Sequence, residues 1–202
     1  MVPRTLAVTA IITAEMSLQR MWLVPTTAEN ASGRKEAMTS DLPDFHVHRT
    51  VNKWDGIKMS TVIIDSSVLK SIREALCKYP AECGGVIACN SDGIIVDFYF
   101  DHEAGTGKMF YSPSVSAINE VVNNKWHSGG LRFAGVAHSH PEKSKLYPSN
   151  SDLRAAERIL LNNEGLEEIL LLIAMGENVK VWKMQLNQQL QECEIQVSGG
   201  VT

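Results

Sequence analysis

The sequence predicts an α/β domain in which a single mixed, largely antiparallel sheet is flanked by helices. The first reason is that short β-branched or apolar runs alternate with segments whose apolar residues recur every three or four positions. The second is the resulting order of elements, β-α-β-β-α-β-α-β-β, which is typical of a sheet covered by helices. The third is size, because 202 residues, 44% of them hydrophobic, suffice for one ordinary domain and an appendage.

The predicted domain begins with a strand and a helix. Residues 61–64 form a β-branched run, which favours a strand. Asp65 and Ser66 can cap the helix that follows, and Pro80 limits its length. The apolar side chains of this helix share one face, at Val68, Leu69, Ile72 and Leu76.

A strand hairpin and a second helix are predicted next. Residues 84–89 are small and apolar, as in a buried strand, and an Asn-Ser-Asp-Gly turn returns the chain along a strand at 94–100. The polar segment 101–109 predicts a loop. A helix capped by Ser112 is then expected to run to the glycine pair at 129–130.

The last four predicted elements are a strand, a helix and two strands. Residues 131–137 predict a strand that runs straight into His138. Residues 150–162 predict an amphipathic helix, because their apolar positions fall on one face. Two further strands are expected at 168–174 and 179–186.

The predicted domain spans residues 59–190, and the sequence on either side has a different character. Residues 26–58 have linker composition, and the whole segment 1–58 is expected to be disordered or to precede a true start at Met59. An apolar run at 6–14 is short for a signal peptide and lacks a good cleavage site, so secretion is the minor alternative. Residues 191–202 are expected to be a C-terminal tail.

Charge and cysteine usage argue against several classes of protein. A net charge of −4 offers no basic surface for nucleic acid. No apolar run reaches the roughly 18 residues that a membrane-spanning helix needs. None of the four cysteines forms a C-x-x-C pair, which favours buried free thiols in a reducing, cytoplasmic setting.

The strand that ends at His138 leads into a predicted metal site. Residues two apart on a strand point to the same side, so the imidazoles of His138 and His140 can converge on one ion. Pro141 ends the strand, and Asp152 in the first turn of the next helix can point back as an anionic third ligand. Zinc accepts such ligands, and three of them leave the open position typical of a catalytic site. We therefore expect one zinc ion per chain.

Two further residues complete the predicted chemistry. A zinc-activated water still needs a proton shuttle if a poor leaving group is to depart. Glu82 is the best candidate, because a carboxylate at the start of an apolar strand would not be chosen for packing. Ser149 is suited to donate a hydrogen bond to the oxyanion that develops on the substrate.

Each part of this site also has a simpler explanation. Ser149 with an acidic residue three positions later is a common helix cap, although the same pair can serve as cap and site together. Two histidines at this spacing are by themselves weak support for a metal. Cys83 beside Glu82 could be a nucleophile, but a buried apolar cysteine is the more usual finding.

In combination, these residues resemble the motif of the JAMM (MPN-plus, JAB) zinc metalloprotease family, in the order Glu82, His138-x-His140-Pro141 and Ser149-x-x-Asp152. The similarity covers about residues 60–186, extends to Tyr111-Ser112-Pro113 and Gly135, and is greatest to the small bacterial members. It implies a JAB/MPN-like fold with cytidine-deaminase-like layering. It also implies zinc held by the two histidines and the aspartate, with the glutamate as general acid/base and the serine as oxyanion stabiliser.

One spacing departs from the family. Eight residues separate His140 from Ser149, where the family usually has seven. The extra residue falls in the polar segment 142–147, which can bulge. Because the Ser-x-x-Asp spacing is intact, we expect the loop to absorb the insertion and Asp152 to remain a ligand.

The resemblance makes a zinc-dependent metallopeptidase or isopeptidase the leading hypothesis, with hydrolysis of a peptide or isopeptide bond through a metal-activated water. The partner would be a protein or peptide substrate, such as a ubiquitin-like or carrier protein, without nucleic acid or membrane. The alternatives are a catalytically inactive MPN-type scaffold and a zinc amidohydrolase of a small molecule or carrier-protein conjugate. The sequence leaves the substrate and the oligomeric state open.

Overall fold

A computed structural model describes residues 59–76, 82–108, 110–141, 145–186 and 190–199. The predicted N-terminal segment, residues 1–58, lies outside this part of the chain, so the expectations for it stay predictions. Within the described part, the apolar runs and the three-to-four periodicities noted above become the strands and helices of one domain.

Nine strands occur among the described residues. They are β1 (Ser60–Asp65), β2 (Gly84–Cys89), β3 (Ile95–Phe100), β4 (Gly105–Gly107), β5 (Phe110–Ser112), β6 (Arg132–Ser139), β7 (Glu168–Met175), β8 (Asn178–Gln185) and β9 (Gln191–Ser198). The helices are α1 (Ser66–Leu76), α2 (Val115–Glu120), which continues as a π-helical segment (Val121–Trp126), and α3 (Asn150–Asn162).

Seven of these strands form one closed sheet, in the order β1-β3-β2-β6-β7-β8-β9. Four of the seven pairings within this sheet are antiparallel, and β1 with β3, β1 with β9 and β6 with β7 are parallel. The predicted mixed, largely antiparallel sheet is therefore confirmed. Closure comes from β9, which pairs along the whole of β1, from Ser60–Cys193 to Asp65–Ser198.

The expectation of a C-terminal tail from residue 191 is wrong for β9. This strand lies between β8 and β1 and buries Cys193 in the core. Much of its remaining surface faces solvent, so its sequence is polar and carries only a weak strand pattern. The strand pairs with its neighbour in the chain, β8, and with β1, which is distant in sequence and which local composition does not reveal as a partner.

The segment before α2 also differs from expectation. Residues predicted as a loop contribute β4, which pairs with β5 in a small separate hairpin. Ser112 therefore belongs to a strand, and the cap of α2 is Ser114, whose side chain accepts a hydrogen bond from the Ala117 N–H. The backbone N–H of Ser114 in turn donates to the buried carboxylate of Asp101, at 2.6 Å. Asp101 thus fixes the start of the helix from a distant strand end.

Helices cover both faces of the sheet. The apolar face of α1, which was predicted from Val68, Leu69, Ile72 and Leu76, packs into one buried cluster. The π-helical segment and α3 bury their apolar residues in a second cluster on the other face. Trp126 is fully buried there, and its indole N–H donates to Asp97 at 2.7 Å. None of the described helices has the length and apolar character needed to cross a membrane.

The centre of the sheet brings the motif residues together. Strand β6 lies between β2 and β7, and His138 in β6 is directly opposite Gly84 in β2. At Gly135 the backbone of β7 comes so close that a Cβ would lie 2.0 Å from the carbonyl oxygen of Leu170. A glycine is therefore required at this position for β6 to pair with β7.

Candidate metal centre

Two imidazoles meet at the C-terminal end of β6. His138 is a buried residue of the strand, and His140 follows it by two positions, with its backbone N–H donating to the carbonyl of Ala174 at 2.8 Å. The ring centroids lie 4.9 Å apart, and the two Nε2 atoms are separated by 3.1 Å. The alternation of the strand thus places both side chains on one side of the sheet, as predicted.

The third group is the carboxylate of Asp152, which enters from α3. It is 4% exposed, and its Oδ1 and Oδ2 atoms lie 3.3 Å from His138 Nε2 and 3.4 Å from His140 Nε2. The orientation is held by a capping box, in which Ser149 Oγ accepts from the Asp152 N–H at 3.2 Å and Asp152 Oδ2 accepts from the Ser149 N–H at 2.6 Å. The carboxylate of Asp152 therefore completes the helix cap and faces the two imidazoles at the same time.

The donor set and its spacing fit a zinc ion. All ligand atoms of His138, His140 and Asp152 lie within 4.8 Å of one another. Zinc–ligand bonds of about 2.0–2.2 Å at tetrahedral angles require ligand atoms about 3.3–3.6 Å apart. The observed separations of 3.1, 3.3 and 3.4 Å are close to that range. Two imidazole nitrogens and the carboxylate of Asp152, whose two oxygens each face one histidine, form the three-ligand set of an open zinc site.

The longer segment after His140 does not displace Asp152. His140 Nδ1 lies 2.9 Å from the backbone carbonyl of Lys145, so the Nδ1–H donates there and Nε2 is left for a ligand role. Tyr147 packs its ring against Trp182 of β8, with ring centroids 4.7 Å apart. These two contacts tie the described end of the loop to His140 and to β8.

The buried ring of Tyr111 lies next to His138. The ring of Tyr111 lies nearly parallel to the imidazole, at 12° and a centroid distance of 6.5 Å. Its hydroxyl donates to Asp101 at 3.4 Å, and Asp101 also accepts backbone N–H groups from Glu103 and Ser114. Tyr111 was noted from the sequence only through the resemblance, and Asp101 was missed, because an acidic residue in a polar loop gives no local signal of burial.

Glu82 lies two residues before β2, within electrostatic range of the three residues of the cluster. Its backbone φ of 46° falls in the left-handed region that residues other than glycine rarely adopt. Burial raises the pKa of its carboxyl, the charges of His138 and His140 lower it, and the charge of Asp152 raises it. The net effect is a raised pKa, the direction that suits a carboxyl group for proton transfer.

Cys83, the alternative nucleophile, is packed in the hydrophobic core. It is buried, and burial raises the pKa of its thiol, so it has little thiolate character. Its Sγ atom lies 3.5 Å from the hydroxyl of Ser139. This environment is typical of a structural cysteine and favours the metal cluster as the reactive centre.

The cluster couples the stability of the metal-free protein to pH. Burial raises the pKa of Asp152, but the hydrogen bonds from the two histidines outweigh it and hold this pKa well below 3.8. Burial lowers the pKa of His140, but hydrogen bonds to Asp152 and Lys145 raise it above 6.5. The His140 contribution to stability is therefore complete below pH 6.5 and is lost as the pH rises through its raised pKa.

We expect the unfolding free energy of chelator-treated protein to fall as the pH rises above 6.5, and added zinc to reverse the trend, because zinc binds neutral imidazoles. Denaturant unfolding with and without zinc across this range measures both effects. Asp152→Asn is the control, since it removes the charge that raises the pKa of His140. A trend that persists unchanged in Asp152→Asn would assign it to another group.

Gly84 is expected to be essential to the shape of this site. A Cβ there would lie 2.7 Å from the carbonyl oxygen of Ala137, 2.8 Å from the Tyr111 ring and 2.9 Å from His138 Cβ. Gly84→Ala should therefore destabilise the protein by about 1–3 kcal/mol and weaken zinc binding. Gly105→Ala is the control, because its Cβ would meet nothing closer than 3.4 Å. Equal stability and zinc affinity in the two variants would contradict the prediction.

The chain is similar to one known family and to solved structures of the same fold. A family described as prokaryotic homologs of the JAB domain matches residues 65–186 of the chain. A protein from Desulfitobacterium hafniense, solved in solution, is 16% identical with a TM-score of 0.51, over 69% of this chain and 94% of its own. This structure supports the α/β fold described above. The search of curated proteins finds no match.

Two further solved structures are similar at lower TM-scores. A JAB1/MPN domain protein from Archaeoglobus fulgidus is 20% identical with a TM-score of 0.40, over 68% of this chain and 98% of its own. A structure described as JAMM, a metalloprotease-like zinc site in the proteasome and signalosome, is 17% identical with a TM-score of 0.39, over 68% and 99%.

Proposed function

Because this chain belongs to the family of prokaryotic JAB-domain homologs, whose match covers residues 65–186, we propose that it is a zinc-dependent metallopeptidase or isopeptidase. The observation that carries the proposal is the convergence of His138, His140 and Asp152 within 4.8 Å at the end of β6. Family membership supports a metal-dependent hydrolase, and the geometry supports zinc as the metal. Cleavage of a peptide or isopeptide bond is the finer part of the proposal.

The three ligands would divide the task of holding the ion. His138 and His140 would bind through Nε2, since the Nδ1–H of His140 is directed to the Lys145 carbonyl. Asp152 would supply the negative charge, and its capping box keeps the carboxylate aimed at the imidazoles. When bound, zinc lowers the pKa of a coordinated water and polarises the carbonyl oxygen of a substrate.

Glu82 would move the proton. Hydrolysis of an amide requires a base that takes a proton from the attacking water and an acid that delivers one to the leaving amine. A half-buried carboxylate with a raised pKa, within electrostatic reach of all three ligands, can perform both transfers in turn. The side chain holds the proton on its carboxylate oxygens between the two steps.

Ser149 would stabilise the negative charge that develops on the carbonyl oxygen. Its Oγ atom accepts the hydrogen bond of the helix cap from the Asp152 N–H, so its own proton can be donated to a substrate. The residue is exposed at the start of α3, beside the cluster, where a substrate can reach it.

We extend the proposal to the substrate and the compartment. The substrate would be a peptide or protein, with ubiquitin-like and carrier proteins as the first conjugates to test. Cys83, Cys89 and Cys193 are free thiols, which supports a reducing compartment such as the cytoplasm.

The proposal is tested on the purified full chain. One zinc ion per chain is expected, and hydrolysis should cease with a chelator and return with added zinc. The panel comprises fluorogenic peptides, ubiquitin-like fusions, isopeptide-linked conjugates and small amides, because only the substrate separates a peptidase from an amidohydrolase. A folded protein that binds no zinc would refute the proposal and favour an inactive scaffold.

A further inference from the structure

The residue between the two histidines makes contacts of its own. Ser139 is 4% exposed and, by strand alternation, points to the opposite side from His138 and His140. Its hydroxyl accepts a hydrogen bond from the backbone N–H of Cys83 at 3.0 Å and lies 3.3 Å from the Cys83 carbonyl oxygen, to which it can donate. Its backbone N–H donates to the same carbonyl at 2.8 Å.

These contacts bear directly on Glu82. The Cys83 N–H belongs to the peptide group that joins Glu82 to Cys83, so the serine hydroxyl fixes the plane of the peptide that follows the glutamate. Glu82 holds a φ of 46°, a conformation that persists in a non-glycine residue only when its surroundings determine it. Ser139 is 57 residues away in the chain, on the strand that carries the histidines, and holds one of the two peptide groups that flank Glu82.

The hydrogen bonds of the Ser139 hydroxyl are not needed for the sheet itself. Without them, β2 and β6 are already paired from Gly84–His138 to Cys89–Arg132. The serine side chain acts at the end of this ladder, where the chain enters β2. Among the described residues, its hydroxyl makes hydrogen bonds to Cys83, the residue that follows the candidate acid/base. We therefore expect its removal to act mainly on the backbone next to Glu82.

We propose that Ser139 is a positioning residue that holds the carboxylate of Glu82 in place beside the metal site. The inference rests on the proposed function, since it gives Glu82 and the three ligands the roles stated there. The ion would be held by residues on one side of β6, and the proton carrier would be aligned by the residue on the other side. The end of β6 would thus position both the histidine ligands and the glutamate that carries the proton.

The test uses the full chain loaded with Co²⁺, whose visible absorption reports on the surroundings of the ion. Four proteins are compared: the wild type, Ser139→Ala, Glu82→Gln and the double variant. Ser139→Thr keeps the hydroxyl, and Ser128→Ala is the matched control, because the Ser128 hydroxyl donates only to its own helix at Asn124 and Lys125 among the described residues. Amide hydrogen exchange at Cys83 is measured on the same samples.

Ser139→Ala is expected to retain one Co²⁺ per chain and to speed exchange of the Cys83 amide by about tenfold, the effect of losing one hydrogen bond. The pH midpoint of the absorption change should shift towards that of Glu82→Gln. In the Glu82→Gln background the serine substitution should add nothing, because the serine acts through the glutamate. Ser139→Thr should restore the wild-type midpoint, and Ser128→Ala should change neither measurement.

Two results would overturn the inference. One is a Ser139→Ala protein with wild-type midpoint and exchange. The other is a midpoint shift of equal size with and without Glu82, which would mean that the serine acts on the histidines. A wild-type chain that binds no Co²⁺ is a different failure, because it refutes the proposed function and removes the role of Ser139 with it.

Discussion

Glu82→Gln is expected to keep one zinc ion per chain and to lower kcat by about 100- to 10,000-fold, the range that general acid–base catalysis contributes. The glutamine has nearly the same shape, so β2 and the strained backbone at this position can be retained. It carries no titratable oxygen and can neither take a proton from water nor return one to the leaving amine. Zinc analysis and steady-state kinetics on the best substrate of the panel measure the two effects separately.

The matched control is Glu74→Gln, which removes an exposed carboxylate from α1. It should have wild-type zinc content and wild-type kcat. If Glu82→Gln retained full activity, Glu82 would have no part in the chemistry. If it lost zinc, the glutamate would act as a ligand and the three-ligand site would be incomplete.

Asp152→Ala is expected to abolish stable zinc binding and, with it, activity. Outer partners of metal ligands alone can be worth about 10- to 100-fold in affinity, so loss of the anionic ligand should exceed a hundredfold. The buried imidazoles of His138 and His140 would also lose the negative charge that they face at 3.3 and 3.4 Å. Titration with a competing zinc chelator measures the change in affinity.

Because Asp152 also closes the capping box of α3, a control must separate the ligand from the cap. Ser149→Ala removes the hydroxyl that accepts from the Asp152 N–H and should cost about 1 kcal/mol of stability, while leaving the carboxylate in place. We expect this variant to bind zinc and to lose turnover through the missing oxyanion contact. Wild-type zinc affinity in Asp152→Ala would contradict the assignment of this residue as a ligand.

Much of the fold could be predicted because its signals are local. The faces of α1 and α3 are encoded by apolar residues three and four apart, and β2 and β7 by short apolar runs. Strand β9 was mistaken for a tail for the opposite reason. It is polar along much of its length, and its position depends on backbone pairing with β1 and β8.

The candidate site divides in the same way. His138 and His140 are two residues apart on one strand, and Ser149 and Asp152 share one helical turn, so each pair could be predicted from spacing. The structure adds that the two pairs meet, with ligand atoms within 4.8 Å. Their binding of zinc remains a prediction that Asp152→Ala tests.

The sequence by itself determined which chemical groups are present and which local element carries each of them, because periodicity and capping act over a few residues. Only the tertiary structure decided that Ser139 contacts the peptide after Glu82 and that Asp101 accepts a hydrogen bond from the Tyr111 hydroxyl. It also decided that Gly84 leaves room for the Tyr111 ring next to His138. These contacts join segments that meet only when β2 and β6 pair and α3 packs against the sheet. Long-range backbone pairing and packing create them, and the choice of partner leaves no mark in a short stretch of sequence.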